Sequence, residues 1–186
     1  MRWKLGSAAL LLAVVAVGAP RAARADVAAV YAEGHGGVTT GGGGTGLADT
    51  GMGGFGFRLG ARVLIFEGYY DYTDFGGGAA ISRGVGGLRA GFGAHDVRLV
   101  LRIGGGVISE SGGALTGNSL DLGTHTGGVG RIGAALEAQI APAVLVGFGI
   151  DGETFVFAEP SRPGGDGAYV GSDVFANLHL TFELGI

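Results

Sequence analysis

The sequence contains no cysteine, and beyond residue 25 it contains no lysine and no tryptophan. Without cysteine, the chain has no disulfides, no thiol nucleophile, no thiolate metal site and no lipid-modified cysteine anchor. Proline is scarce, with four residues in 186, whereas glycine reaches 43 residues. Hydrophobic residues make up 47% of the chain, which is too high a content for an intrinsically disordered protein. We therefore expect a folded chain that contains many close backbone approaches.

Long hydrophobic runs are also absent, except at the N terminus. Arg2 and Lys4 precede a largely apolar stretch at 5–19, and an Ala-Arg-Ala sequence ends at residue 25. This order predicts a secretory signal peptide over 1–25, because the apolar stretch is too short to span a membrane comfortably. The remaining 26–186 has the size of one domain. Since no later segment has the length of a transmembrane helix, any membrane crossing is expected to use strands.

The predicted mature chain lacks positive charge. Removal of 1–25 leaves eight arginines against sixteen acidic residues, a formal net charge of about −8. Such a balance disfavours nucleic acid as a partner. The glycine run at 41–44 lacks the Lys-Ser/Thr pair of a phosphate-binding loop. We predict no cofactor and no metal site.

The mature chain does contain repeated alternation of apolar and polar residues. The C-terminal segment 177–186, NLHLTFELGI, places Leu178, Leu180 and Phe182 on one face and Asn177 and His179 on the other. Alternation with a period of two predicts an extended strand with one apolar face. Eight stretches show this pattern: 27–38, 54–63, 66–73, 85–93, 97–108, 128–140, 144–157 and 169–186.

The connections between these stretches alternate in length. Those after the second, fourth and sixth stretches are short, whereas those after the first, third, fifth and seventh are longer and rich in Gly, Ser, Thr and Asp. This arrangement is typical of an outer-membrane barrel with both termini on one side. The sequence therefore predicts an all-β fold, an eight-stranded antiparallel up-and-down transmembrane β-barrel. A soluble lipocalin-like barrel is the alternative.

Charged residues in the predicted strands share faces. In six strands the two charged residues are an even number of positions apart, so the opposite face is left mainly apolar or small. If the apolar face contacts lipid, the charged face points into a lumen that eight strands make narrow. We therefore predict a lumen ionic network, since buried charges need partners. Its members are Glu33, Arg58, Arg62, Glu67, Asp71, Arg89, Arg98, Arg102, Arg131, Glu137, Asp151, Glu153, Asp173 and Glu183.

The signal peptide, the eight alternating segments and the terminal LTFELGI together resemble the small outer-membrane β-barrel superfamily of OmpA, OmpX and OmpW. The resemblance covers nearly all of the mature chain and is one of pattern. It implies that the last strand, through Phe182, Leu184 and Ile186, is a signal to the barrel assembly machinery. Ile186 departs from the aromatic residue that usually ends such strands. Outer-membrane lipid is the partner that the resemblance implies for the outer face.

Three roles remain open for such a barrel. Some members of this superfamily modify lipid A, but the residues two after His35, His95, His125 and His179 are Gly37, Val97, Gly127 and Thr181, and none is serine. We therefore predict a protein that is not an enzyme. A narrow channel is a second alternative. The favoured role is structural or binding, through loops that contact other envelope proteins or surface ligands. The residues assigned to these acidic loops are Asp49, Asp74, Arg83, Glu110, Asp121, Glu159, Arg162 and Asp166.

Overall fold

The computed structural model describes residues 27–39, 52–93, 96–111, 124–157 and 169–185. The predicted signal peptide, the terminal Ile186 and His95 lie outside these residues, as do five predicted loop residues: Asp49, Asp121, Glu159, Arg162 and Asp166. Within the described ranges, no helix is long and apolar enough to cross a membrane.

Eight strands form one closed antiparallel barrel, in which each strand pairs with the next and β1 pairs with β8. The predicted all-β fold, an eight-stranded antiparallel up-and-down barrel, is therefore confirmed. The strands are β1 (Ala28–Thr39), β2 (Met52–Val63), β3 (Phe66–Gly76), β4 (Ala79–Gly93), β5 (Val97–Ser111), β6 (Thr124–Ala141), β7 (Val144–Phe157) and β8 (Tyr169–Gly185).

Short connections gather at one end of the barrel. The turns Leu64–Ile65 and Pro142–Ala143 lie there, together with the end of β4, the start of β5, the start of β1 and the end of β8. We call this the turn end and the opposite one the loop end. The predicted short junctions after β2, β4 and β6 are confirmed.

The connection between β3 and β4 corrects the sequence prediction. We expected a long loop after residue 73, but β3 continues to Gly76 and β4 begins at Ala79, with a two-residue turn between them. Gly76, Gly77 and Gly78 have positive φ angles of 79°, 65° and 91°. Glycine adopts this region without a steric penalty, so three consecutive glycines reverse the chain within a tight turn.

The outer face of the barrel is apolar. In β8, Leu178 and Leu180 are 65% and 53% exposed, whereas His179 and Thr181 between them are buried. The same alternation exposes Leu99 and Leu101 in β5. In the described part of the chain, the exposed large side chains of the strands therefore face away from the lumen.

The lumen contains two sections, which overlap along its axis. The ionic section occupies the turn end and the middle, and contains the paired arginines and carboxylates described below. The apolar collar lies mainly toward the loop end, and Arg83 of the ionic section lies between its members Ile81 and Val85 in β4. It consists of Ala79, Ile81, Val85, Ile108, Val129, Phe155 and Phe157, with Tyr69 and Phe75 packed against it. A collar of this kind was not predicted, because the sequence analysis assigned only charged groups to the lumen.

Candidate functional site in the barrel lumen

The inner faces of the strands carry all fourteen residues that the sequence analysis assigned to the lumen. Ten of them are buried, and Arg62, Arg98, Arg102 and Glu183 are partly exposed. Asp173 accepts a hydrogen bond from the Thr39 hydroxyl at 2.6 Å. Each of the other thirteen lies within 4.0 Å of at least one oppositely charged side chain.

The inner cluster is the deepest part of the ionic section. We define it as Arg58, Arg83, Arg131, Glu33, Asp71, Asp151 and Glu153. Arg58 lies 2.8 Å from Asp71 and 3.0 Å from Glu33, and Arg131 lies 2.7 Å from Asp151. All of these side chains are less than a tenth exposed, so each charge depends on its partners for solvation.

Arg83 is a member of the inner cluster that the sequence analysis wrongly placed in a loop. Its Nε and Nη2 atoms donate to the two carboxylate oxygens of Glu153 at 2.8 and 2.6 Å, and Nη1 donates to Asp71 at 3.0 Å. A bidentate guanidinium–carboxylate pair is among the strongest ion pairs in proteins. Arg83 was missed because the glycine run before it predicted a loop and hid the start of β4.

Glu110 is a second misplaced residue. It was assigned to a loop, but it lies on the inner face of β5 and is 1% exposed. Its position is an even number of residues from Arg98 and Arg102, so strand parity would have placed it in the lumen. Asp74, the other described loop candidate, lies in β3 and is exposed.

The turn-end cluster consists of Arg62, Arg89, Arg98, Arg102, Glu137 and Glu183. Glu183 accepts from Arg62 at 2.7 Å and from Arg98 at 3.1 Å, and Arg89 lies 3.5 Å from it. Glu137 accepts from Arg98 at 2.8 Å and lies 3.2 Å from Arg89 and 3.4 Å from Arg102. Each of the four arginines of this cluster therefore contacts at least one of the same two carboxylates.

Arg102 connects the two clusters by long contacts. It lies 3.7 Å from Glu33 and 3.8 Å from Glu67, beyond ordinary hydrogen-bonding distance. Glu67 instead accepts a hydrogen bond from the hydroxyl of Tyr31. Tyr31 was not predicted as a lumen residue. A cavity of about 10 Å³, room for one water molecule, is lined by Glu67, Arg102 and other side chains.

Inward glycines make room for these side chains. A Cβ atom added at Gly133 would lie 2.1 Å from the carboxylate of Asp151, and one at Gly60 would lie 2.5 Å from the Tyr31 hydroxyl. Such positions cannot accept a larger residue unless the facing side chain moves. The high glycine content therefore has a packing role in the narrow lumen.

The described histidines also lie on the inner faces. His35 contacts the Thr73 hydroxyl at 3.2 Å, and Nδ1 of His179 contacts Asn177 at 3.0 Å, while His125 is half-buried in β6. Among the described residues, no group of three or more His, Cys, Asp or Glu side chains is arranged to hold a metal ion.

Similarity to known proteins is found at the level of solved structures. No family model and no curated protein matches the chain. Its fold is similar to the crystal structure of Neisserial surface protein A, at 14% identity and a TM-score of 0.49, over 83% of this chain and 96% of that one. It is also similar to the outer membrane enzyme PagL, at 16% identity and 0.47, over 82% and 98%. A third similar structure is Ail, the attachment invasion locus protein of Yersinia pestis, at 11% and 0.44, over 84% and 98%.

Proposed function

We propose that this chain is an integral outer-membrane β-barrel protein with a closed, ionically plugged lumen, that it is not an enzyme, and that it serves a structural or binding role through its loops. The observation that carries this proposal is the inverted distribution of polarity. Large apolar side chains cover the outside, and every arginine in the described residues points inward. A soluble barrel would place these groups the other way round.

The edges of the apolar surface support membrane insertion. Toward the loop end, the outward positions change to Ser82, Ser109 and Thr126, which are cross-strand neighbours. Toward the turn end, outward aromatic residues include Phe66 and Phe92. Phe55 is an exposed aromatic residue toward the loop end. Polar groups and aromatic rings near the edges of the apolar surface suit the interfaces of a lipid bilayer.

The two sections of the lumen favour a closed barrel over the channel alternative. Ions that cross the barrel have to displace arginine–carboxylate pairs that are within 3.0 Å of each other and buried. They also have to pass the apolar collar, where Ile81, Ile108 and Phe157 are 1% exposed and Phe155 is 2% exposed. Apolar side chains in a narrow lumen oppose ion passage because an ion beside them loses part of its hydration.

The loops are the remaining surface for a partner. In the proposed orientation, the turn end faces the periplasm and the loop end faces outward, as is usual for barrels with short periplasmic turns. Envelope proteins or surface ligands would then meet the loops, while outer-membrane lipid covers the outer face. The barrel assembly machinery would recognise the last strand through Phe182, Leu184 and Ile186.

Cell fractionation combined with gel mobility tests this proposal. The mature protein is expected in the outer-membrane fraction, and its unheated form should migrate differently from the boiled form because a closed barrel resists detergent. The matched variants Leu180→Arg and Leu180→Phe sharpen the test. Leu180 is exposed on the outer face, so arginine there should reduce the amount of heat-modifiable protein and phenylalanine should not. Recovery in the soluble periplasm contradicts the proposal.

A further inference from the structure

We propose that the lumen contains an internal water-binding site formed by Glu67, Arg102 and Arg131, and that the water bound there connects the turn-end cluster to the inner cluster. The site depends only on described side chains of the lumen. It does not depend on the orientation of the barrel in the membrane or on the role of the loops.

A pair of glycines interrupts one row of inward-facing side chains. Glu67 of β3 is the register partner of Gly87 in β4, and Gly87 is the partner of Gly104 in β5. Gly104 in turn is the partner of Arg131 in β6. Register partners on adjacent antiparallel strands share a face, so these four residues form one row across four strands. Because the two middle residues have no side chain, Glu67 and Arg131 face a gap in the row.

The cavity of about 10 Å³ lies at this gap. Its lining includes all four residues of the row, together with Arg102, which lies two residues from Gly104 on the same face of β5. A volume of this size holds one water molecule. The cavity therefore limits its ligand to a single molecule the size of water and excludes polyatomic anions and hydrated ions.

Unpaired donors meet an acceptor at this cavity. The Nε atom of Arg102 lies 3.8 Å from Oε2 of Glu67, which is too far for a direct hydrogen bond but is a distance that one water can bridge. This Nε atom is buried and has no hydrogen-bond partner among the described residues, and the same holds for Nε and Nη1 of Arg131. Buried guanidinium donors that remain unpaired are costly. A water that accepts from Arg102 and Arg131 and donates to Glu67 makes the three hydrogen bonds typical of buried waters.

The mixture of donors and an acceptor selects water over an ion. A halide ion accepts from guanidinium groups but cannot donate to Glu67, and the charge of that carboxylate repels it. A metal ion would meet the positive charges of Arg102 and Arg131. Water both donates and accepts, so it suits all three side chains without adding a charge to the ionic section.

NMR spectroscopy of the folded full mature chain in detergent micelles, with isotope-labelled arginine side chains, tests the site. The predicted mature chain contains eight arginines, so the Nε–H region contains few signals. The Nε proton of Arg102 should show a cross-peak to water that has opposite signs in NOESY and ROESY spectra, the pattern of a long-lived bound water rather than of proton exchange. Arg58 is the internal control: its Nε donates to Asp71 at 3.0 Å and its side chain is 3% exposed, so its Nε proton should show no such peak.

Two variants of Glu67 complete the test. Glu67→Met removes the acceptor and should abolish the Arg102–water peak, whereas Glu67→Gln retains a side-chain oxygen and should keep it. The Tyr31 hydroxyl remains in both variants, so a signal relayed through that hydroxyl would persist in the methionine variant. Heat-dependent gel mobility checks that both variants fold. Absence of the peak in the wild type, or an unchanged peak in the methionine variant, overturns the site. Neither result bears on membrane insertion, which fractionation tests separately.

Discussion

The ionic section and the apolar collar occupy the same lumen but are stabilised in different ways. In the ionic section, each buried charge depends on partners from other strands, as Arg83 of β4 depends on Asp71 of β3 and Glu153 of β7. In the collar, Ile81, Ile108 and Phe155 are held by non-directional apolar burial. Loss of one partner should therefore be more damaging in the ionic section, while the collar should respond in proportion to the volume removed.

The largest effect is expected for Arg83→Met. This change leaves Glu153 buried, with no cation within 4.0 Å among the described side chains. Breaking one side of a buried pair costs about 3–5 kcal/mol, so the free energy of unfolding should fall by that amount. Urea titration of the protein in lipid vesicles measures it. The control is Arg83→Met/Glu153→Leu, which removes both charges and should recover most of the loss. A double variant as unstable as the single one would contradict this view of the ionic section.

A smaller loss is expected in the collar. Ile108 is 1% exposed among other apolar side chains, and Ile108→Ala should reduce the free energy of unfolding by about 3 kcal/mol through lost burial and a residual cavity. Ile108→Val removes one methylene group and should cost about 1 kcal/mol. The same urea titration compares the two. Equal losses would show that the collar is not packed as described.

The smallest effect is expected at the turn end. Arg62 is 19% exposed on its side chain, and its partner Glu183 also accepts from Arg98 at 3.1 Å. Arg62→Gln should therefore change the free energy of unfolding by no more than about 1 kcal/mol, as for other partly exposed pairs. Arg58→Gln, in the buried inner cluster, is the matched comparison and should cost several times more. Similar losses for the two variants would remove the distinction between the clusters.

The outer face was easier to predict from the sequence than the lumen. Lipid requires an uninterrupted apolar face, so residues such as Leu178 and Leu180 produce a clear alternation against His179 and Thr181. Near the loop end this contrast disappears, because Ile81, Ile108 and Phe155 are apolar and face inward. The predicted strands were therefore too short at that end, and Arg83 and Glu110 were assigned to loops.

The partners of the charged residues also could not be predicted from the sequence. Parity places Arg131 and Glu137 on one face of β6, but it does not specify partners across the lumen. Those partners depend on strand tilt, register and the space left by glycines. Arg131 pairs with Asp151 of the adjacent β7, whereas Glu137 is shared by Arg89 and Arg98 of β4 and β5.

Planar-bilayer recording tests most directly the central claim, that the ionic section and the apolar collar together close the lumen. The wild type should carry no steady current. The ionic-section variant Arg98→Ala/Arg102→Ala should also stay closed, because the inner cluster and the collar remain. The collar variant Ile108→Ala/Phe155→Ala should stay closed because the ionic section remains. A large steady current from the wild-type barrel would contradict the account and favour a channel.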